Sequence, residues 1–228
     1  MRDLLLSLTI VAAASAGGLT LVGRAGGRPD LRPPPIVLVV LALTAVPSLL
    51  QLRYPAVLTT LQRDSAALAR GEWWRLATPL VVQDGGIAGT IFNLVALLIV
   101  GTLGARVLGS RPWLTLYLVV GVAAEVVAYA WIHQGSAGNS VANFGVAAGL
   151  ALMALRMRQK PAVAAGVATL LGGAALLLLG DLHGAAFAIG LPIAFFVARR
   201  TNAGSDAERD RPARGRQSTN PKPPNRGN

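Results

Sequence analysis

Residues 87–108 read IAGTIFNLVALLIVGTLGARVL and contain one charged side chain, Arg106. A helix needs about 20 mainly apolar residues to cross the hydrocarbon layer of a bilayer, which is about 30 Å thick. Lipid offers the backbone no hydrogen-bond partner, so an apolar run of this length satisfies its own amides by forming a helix. The stretch therefore predicts a transmembrane helix.

Six other stretches have a similar length and polarity. They are Leu4–Val22, Pro35–Leu52, Trp113–Ile132, Ser140–Leu155, Ala162–Gly180 and His183–Ala198. Several are rich in glycine and alanine, which let helices pack closely in lipid. The chain is 53% hydrophobic and 14% charged, too apolar for the surface of an ordinary soluble domain. We therefore predict an all-α, polytopic transmembrane helical bundle.

The distribution of positive charge predicts how these helices are oriented. Basic residues cluster in alternate connections and after the last helix: Arg24, Arg28 and Arg32; Arg106 and Arg111; Arg156, Arg158 and Lys160; Arg199 and Arg200. Cytoplasmic loops carry an excess of Lys and Arg, so we expect the N-terminus outside, the tail in the cytoplasm and the plasma membrane as the location. The external loop 53–75 also holds arginines, and its Trp73 and Trp74 favour the membrane interface.

Composition also narrows the chemistry and the partners. The net charge is +11. We expect the basic residues to set the orientation of the helices and to contact anionic lipid headgroups, and not to bind nucleic acid. The chain has no cysteine and two histidines, His133 and His183, so thiolate chemistry is excluded and no metal or cofactor is implied. We expect membrane lipids and transmembrane proteins as partners.

The two ends of the chain are predicted to differ from its core. We assign residues 1–34 to an extra transmembrane helix with a basic loop, 35–198 to the main membrane domain, and 199–228 to a polar tail that is too poor in apolar residues to order itself. Residues 1–24 also fit a cleavable signal peptide, with Ala14-Ser15-Ala16 as its cleavage region. A retained helix is favoured, because cleavage would leave the basic loop outside.

Two helices are predicted to begin on the same external side with residues that can react together. Ser140 begins one and His183 the other. Each helix carries small residues four positions apart, Gly145 and Gly149 on the first and Ala186 and Gly190 on the second, which favours close packing. A serine hydroxyl becomes a good nucleophile when a neighbouring base takes its proton, and an imidazole can be that base.

A series of short motifs extends this pattern along the chain. In order, these are GEWWRLATPL at 71–80, Phe92-Asn93-Leu94, Gly101, Arg106, Gly109, Leu116-Tyr117-Leu118, Gly138-Asn139-Ser140, Phe144, Gly145, His183 and Gly190. The set resembles the rhomboid family of intramembrane serine proteases over roughly residues 35–198. The resemblance implies a six-helix core, with the first predicted helix as an addition.

The resemblance also implies a chemistry. Ser140 would be the nucleophile and His183 the base of a Ser-His dyad. The side-chain amide of Asn93 and the backbone N–H of Ser140 would stabilise the oxyanion. The substrates would be single-span membrane proteins whose transmembrane helices are locally unstable, because a stable helix hides its carbonyl groups.

The chain departs from the family pattern at four positions. Val141 stands where the family has glycine, Gly89 and Gln83 where it has histidine, and Ala105 where it has an acidic residue. An alternative function follows from these changes, namely an inactive rhomboid-like protein that binds transmembrane helices. A third class is a transporter with Glu125 as its proton site, since a charge within a transmembrane helix is costly and often functional.

Simpler structural roles compete at several of these positions. Ser140 could be only a helix N-cap, and Asn93 could only tie two helices together. We expect Asp181 to cap the last helix and not to act as a third catalytic residue. The sequence shows no partner for Glu125, so we expect its side chain to be protonated or to face a wet cavity.

Overall fold

The computed structural model describes residues 2–23, 30–131 and 135–209. Its helices are α1 (Arg2–Val22), α2 (Pro35–Arg53), α3 (Ala56–Leu61), α4 (Ser65–Ala69), α5 (Gly86–Leu108), α6 (Ser110–Trp131), α7 (Ser140–Leu155), α8 (Lys160–Leu178) and α9 (Leu182–Arg209). Two 3-10 turns, Trp73–Leu76 and Thr78–Val81, lie between α4 and α5. No β-strand occurs in these ranges. The predicted all-α class is confirmed, and all seven predicted segments are helices.

Five helices, α1, α2, α5, α6 and α8, are long and apolar enough to cross a membrane. α7 has 16 residues, and the apolar part of α9, Leu182–Val197, is also short. A 16-residue helix is about 24 Å long, less than the hydrocarbon thickness of about 30 Å. Basic residues follow its C-terminal end at Arg156 and Arg158 and favour the headgroup region. We therefore expect the Ser140 end of α7 to lie below the opposite surface of the membrane.

The C-terminal boundary of the bundle differs from the prediction. The last apolar segment was expected to end at Ala198, but α9 continues to Arg209. Once a helix is formed, each further residue adds one backbone hydrogen bond at little nucleation cost, so a polar sequence can extend an apolar helix. The rest of the predicted tail (210–228), most of the basic loop after α1 (24–29) and His133 lie outside the described residues.

α7 lies at the centre of the bundle, with twelve of its residues buried. It packs against α9, α8, α6, α5 and α1. A Cβ added to Gly190 of α9 would lie 2.8 Å from the Cα of Gly145 in α7, a distance that real side chains do not tolerate. The predicted small residues therefore let the backbones of α7 and α9 meet closely, and this contact brings the N-terminal ends of the two helices together.

The segment between α2 and α5 folds over the same end of the bundle. Arg75 holds it together: its guanidinium donates to Glu72 Oε2 at 2.8 Å and to the carbonyl oxygens of Thr59 and Gln62 at 2.9 and 3.0 Å. Trp73 and Trp74 are 60% and 52% exposed. Their exposure fits the predicted position at the membrane interface.

Candidate active site

Ser140 and His183 meet at the start of their helices, as the topology predicted. The Ser140 Oγ lies 2.9 Å from His183 Nε2. Both residues are partly buried, and the ring of His183 packs against that of Phe144 with centroids 4.8 Å apart. Phe144 lies one turn after Ser140 in α7, so the same helix presents the hydroxyl and supports the imidazole.

Asp181 makes two contacts with His183, of which the sequence predicted one. Its Oδ1 accepts from the backbone N–H of His183 at 2.7 Å, the expected cap of α9, and lies 2.6 Å from His183 Nδ1. Burial raises the pKa of Asp181. Three interactions with His183 lower it by more: the hydrogen bond to the ring, the charge of the ring and the hydrogen bond to the backbone N–H. The net pKa of Asp181 therefore lies below its ordinary value. An ionised carboxylate only accepts hydrogen bonds, so Nδ1 carries the proton.

That arrangement fixes the tautomer of His183. With Nδ1 protonated and bound to Asp181, the neutral ring has its lone pair on Nε2. The Ser140 hydroxyl therefore donates to Nε2, as a nucleophile must donate to its base. From the sequence we favoured the cap over this role of Asp181, because aspartate is a preferred N-cap residue.

Asn93 belongs to a second cluster beside the serine. Its Nδ2 donates to Gln83 Oε1 at 2.6 Å, and Gln83 Nε2 donates to Asn139 Oδ1 at 3.1 Å. Gln83 and Asn139 are fully buried. A Cβ added to Gly138 would lie 3.3 Å from Ser140 Oγ and 3.4 Å from Asn93 Nδ2, so the hydroxyl and the amide border one small space.

The loop before α7 is held to the α2–α5 segment at several points. The Arg63 N–H donates to the Ser136 carbonyl at 3.0 Å, and the Gly138 N–H to the Pro79 carbonyl at 2.9 Å. The N–H of Ala137 donates to Asp84 Oδ2 at 2.9 Å. These contacts fix the backbone that leads directly into Ser140.

Two further departures from the family pattern, Val141 and Gly89, lie close to Ser140. Val141 is 3% exposed and packs in the core, so this β-branched side chain is accommodated. A Cβ added to Gly89 would meet no atom within 4 Å. Gly89 borders a cavity with Asn93 and Ser140, and the absence of a histidine there leaves open space beside the dyad.

Glu125 has a partner that the sequence did not reveal. Arg63 Nη1 lies 2.9 Å from Glu125 Oε2, and the two side chains are 0% and 2% exposed. Arg63 comes from the loop assigned to the membrane interface, 62 residues before Glu125. The transporter hypothesis rested on the cost of a charge within a transmembrane helix, and this ion pair gives that charge a structural partner.

Two cavities border the dyad. One, of about 190 Å³, reaches Arg63, Glu125 and Val141; the other, of about 230 Å³, reaches Ser7, Gly89 and Asn93. Both are bordered by Ser140 and His183.

The chain is similar to known proteins over most of this bundle. A family model described as the Rhomboid domain matches residues 70–199, more than half of the chain and all of α5 to α8. Rhomboid protease GluP of Bacillus subtilis (strain 168) is 39% identical over 97 residues, which are 42% of this chain and 19% of that protein.

Putative rhomboid protease YdcA of the same organism is 31% identical over 122 residues, which are 49% of this chain and 60% of that protein. The chain thus spans about a fifth of one relative and about three fifths of the other. No solved structure matches the chain. Its apolar helices make it an integral, multi-pass membrane protein, and because the family model covers most of the bundle that holds the dyad, the chain belongs to the rhomboid family.

Proposed function

We propose that the protein is an intramembrane serine endopeptidase that cleaves transmembrane proteins through Ser140 and His183. The observation that carries the proposal is the 2.9 Å contact between Ser140 Oγ and His183 Nε2, with Nδ1 bound to Asp181. The names of both relatives include the words rhomboid protease, which supports the same chemistry.

The reaction begins with proton transfer from Ser140 to His183. The Ser140 Oγ forms a bond to the carbonyl carbon of the substrate peptide, and its proton moves to Nε2. The carbonyl oxygen becomes an oxyanion, for which the Asn93 Nδ2 and the backbone N–H of Ser140 are the candidate donors. The first amides of a helix have no intrahelical partner and lie at the positive end of its dipole, so the start of α7 suits an anion.

The remaining steps return the enzyme to its starting state. His183 gives its proton to the leaving amine as the C–N bond breaks, which leaves an acyl group on Ser140. A water molecule then attacks the acyl carbon while His183 takes a proton from it. The Ser140 Oγ leaves, regains the proton from His183, and the new carboxyl terminus is released.

We infer the substrate class from the depth expected for the serine in the membrane. A helical substrate hides its carbonyl groups in its own hydrogen bonds, so a substrate must unwind locally to reach Ser140. We infer transmembrane proteins with locally weak helices as substrates. We also infer the plasma membrane as the location, with the N-terminus outside and the tail in the cytoplasm, as the basic connections suggest.

An inactive helix-binding role is less well supported. Val141, Gly89 and Gln83 motivated it, but Val141 packs within the core and Gln83 binds Asn93. At Gly89, open space stands where the family pattern has a histidine side chain, so one potential oxyanion donor is missing. The loss of one such donor lowers the rate about 10²- to 10³-fold in other enzymes. We therefore propose a slow enzyme.

The test is covalent labelling of the full chain by a fluorophosphonate in lipid vesicles. We expect labelling of the wild-type protein and its loss in both Ser140→Ala and His183→Ala. Ser136→Ala is the matched control, because Ser136 borders the same 190 Å³ cavity, and this variant should label normally. Absence of labelling in folded wild-type protein, or labelling that persists in Ser140→Ala, would contradict the proposal.

A further inference from the structure

Two arginines share one phenylalanine ring at the end of the bundle opposite the dyad. The Cζ of Arg199 lies 4.2 Å from the centre of the Phe195 ring, and the Cζ of Arg156 lies 5.6 Å from it. A guanidinium within about 6 Å of a ring centre is attracted to the negative face of the ring. One aromatic side chain therefore holds both guanidiniums, with their carbon atoms no more than about 10 Å apart.

The packing of α7 against α9 brings these two arginines together. A Cβ added to Gly149 of α7 would lie 3.4 Å from the Cβ of Ala194 of α9, and both helices begin at the dyad, so they run side by side in the same direction. Arg156 directly follows the end of α7, and Arg199 comes two residues after the apolar part of α9. We therefore expect both guanidiniums at the level of the lipid headgroups, where the charged side chains at helix ends reach.

No carboxylate of the described residues forms an ion pair with either arginine. Between Glu125 and Asp206 the sequence has one acidic residue, Asp181, and that residue binds His183 at the other end of the bundle. Asp206 comes seven residues after Arg199, about 10 Å further along α9. The described chain around the two guanidiniums therefore leaves their charge unbalanced.

Further positive charge surrounds the pair. Arg158 and Lys160 follow Arg156 within four residues, between the end of α7 and the first turn of α8, and all three residues are exposed. Like charges repel one another, and the repulsion is stronger near lipid than in bulk water because the local dielectric constant is lower. Clusters of four or more basic residues beside a transmembrane helix attract anionic lipids. A bound anion would relieve the repulsion at this end of the bundle.

The geometry of the pair favours a phosphate group. A guanidinium held over an aromatic face keeps its N–H groups in its own plane, where they can still donate. The oxygens of a phosphate match this planar fork and can accept from two guanidiniums at once. Phe196 is 64% exposed and its ring lies in edge contact with that of Phe195, with centroids 5.9 Å apart. This apolar surface beside the guanidiniums suits the acyl chain of a lipid.

We propose that Arg156 and Arg199, held on the ring of Phe195, bind the phosphate of an anionic phospholipid in the leaflet opposite the dyad. Each guanidinium donates to phosphate oxygens, and an acyl chain of the same lipid lies along Phe196. The site goes beyond the proposed peptidase function and does not depend on it, since the two arginines lie at the other end of α7 from Ser140.

Lipid binding to the full chain in an uncharged detergent tests the proposal. Native mass spectrometry measures the fraction of protein that carries one added lipid, for dioleoylphosphatidylglycerol and for dioleoylphosphatidylcholine. The two lipids have the same acyl chains and the same phosphate diester, but the choline group neutralises the phosphate charge. We expect the wild-type protein to bind the phosphatidylglycerol at least about tenfold more tightly, because one hydrogen bond to a charged group supplies a factor of that size.

Two double variants separate the paired arginines from the general charge of this end. Arg156→Gln with Arg199→Gln should lose the preference for phosphatidylglycerol. The matched control, Arg158→Gln with Lys160→Gln, also removes two positive charges but leaves the Phe195 ring and its arginines in place, so it should keep most of the preference. Phe195→Leu removes the ring and should weaken the preference in part. All four basic residues are exposed, so the double variants should unfold at temperatures close to that of the wild-type protein.

Three results would overturn the proposal. Equal losses of preference in the two double variants would show that the charge of the whole end is responsible. Equal binding of the two lipids by the wild-type protein would show that the charge of the phosphate is not recognised. Inorganic phosphate distinguishes a phospholipid site from a site for a free anion: at millimolar concentration it should leave the phosphatidylglycerol bound, and displacement of the lipid would contradict the assignment to a phospholipid.

Discussion

Asp181 controls which nitrogen of His183 faces the serine. In Asp181→Asn the side-chain amide can donate to Nδ1, and the imidazole proton then moves to Nε2, where it blocks acceptance from Ser140. We expect the rate of fluorophosphonate labelling to fall about 10⁴-fold, as for the equivalent change in a Ser-His-Asp triad. The measurement is the labelling rate at neutral pH, with folding checked by thermal unfolding in detergent.

Asp84→Asn is the matched control for this change. Asp84 and Asp181 both border the 190 Å³ cavity. Asp84 Oδ2 accepts a hydrogen bond from the backbone N–H of Ala137, and the side-chain oxygen of an asparagine can accept the same bond. We expect this variant to label close to the wild-type rate. Equal rate losses in Asp84→Asn and Asp181→Asn would show that the charge of the cavity matters and the tautomer does not.

Gln83 orients Asn93, which is the candidate oxyanion donor. Gln83→Leu keeps the approximate volume but removes the acceptor for Asn93 Nδ2 and the donor to Asn139. In Asn93→Ala, the loss of one oxyanion donor predicts a labelling rate about 10²- to 10³-fold lower. We expect a smaller loss of labelling rate in Gln83→Leu. The free energy of unfolding should fall by about 1 to 3 kcal/mol for each buried polar group left unpaired.

The variant Gln83→Glu distinguishes a role of Gln83 in orienting Asn93 from a role in stabilising the fold. Gln83→Glu retains an oxygen that can accept from Asn93 and should recover most of the labelling rate lost in Gln83→Leu. If Gln83→Leu labels at the wild-type rate, Gln83 does not position Asn93.

At the scale of elements, the ion pair of Arg63 and Glu125 joins the α2–α5 segment to α6. Breaking it by Glu125→Leu leaves the buried guanidinium without its carboxylate, which typically costs about 3 to 5 kcal/mol. We expect the free energy of unfolding, measured by denaturant titration in mixed micelles, to fall by an amount of that order.

The double variant Arg63→Met with Glu125→Leu shows whether the charge itself is responsible. Replacing both members of a buried ion pair by apolar residues is often neutral or stabilising, so most of the loss should be recovered. A single variant Glu125→Leu as stable as the wild-type protein would contradict a stabilising role for the pair.

At the scale of the whole molecule, helix contacts decide which residues form the site. Ser140 and His183 could be predicted as partners, because both begin apolar helices on one side of the membrane and both helices carry small residues. Asp181 was expected only as a cap, since its second contact depends on the orientation of the His183 ring. Gln83 was noted only as a missing histidine, although it binds Asn93.

The sequence by itself determined the helices, their order and the family, because an apolar chain in lipid must satisfy its backbone hydrogen bonds locally and in long continuous runs. The tertiary structure alone decided that Arg63 meets Glu125 and that α1 lines a cavity beside the dyad. Those contacts join residues far apart in the chain, and they depend on which helices pack side by side. In lipid, the face of a helix that contacts protein and the face that contacts lipid are both apolar. The pattern of apolar residues therefore does not predict which face packs against which neighbour.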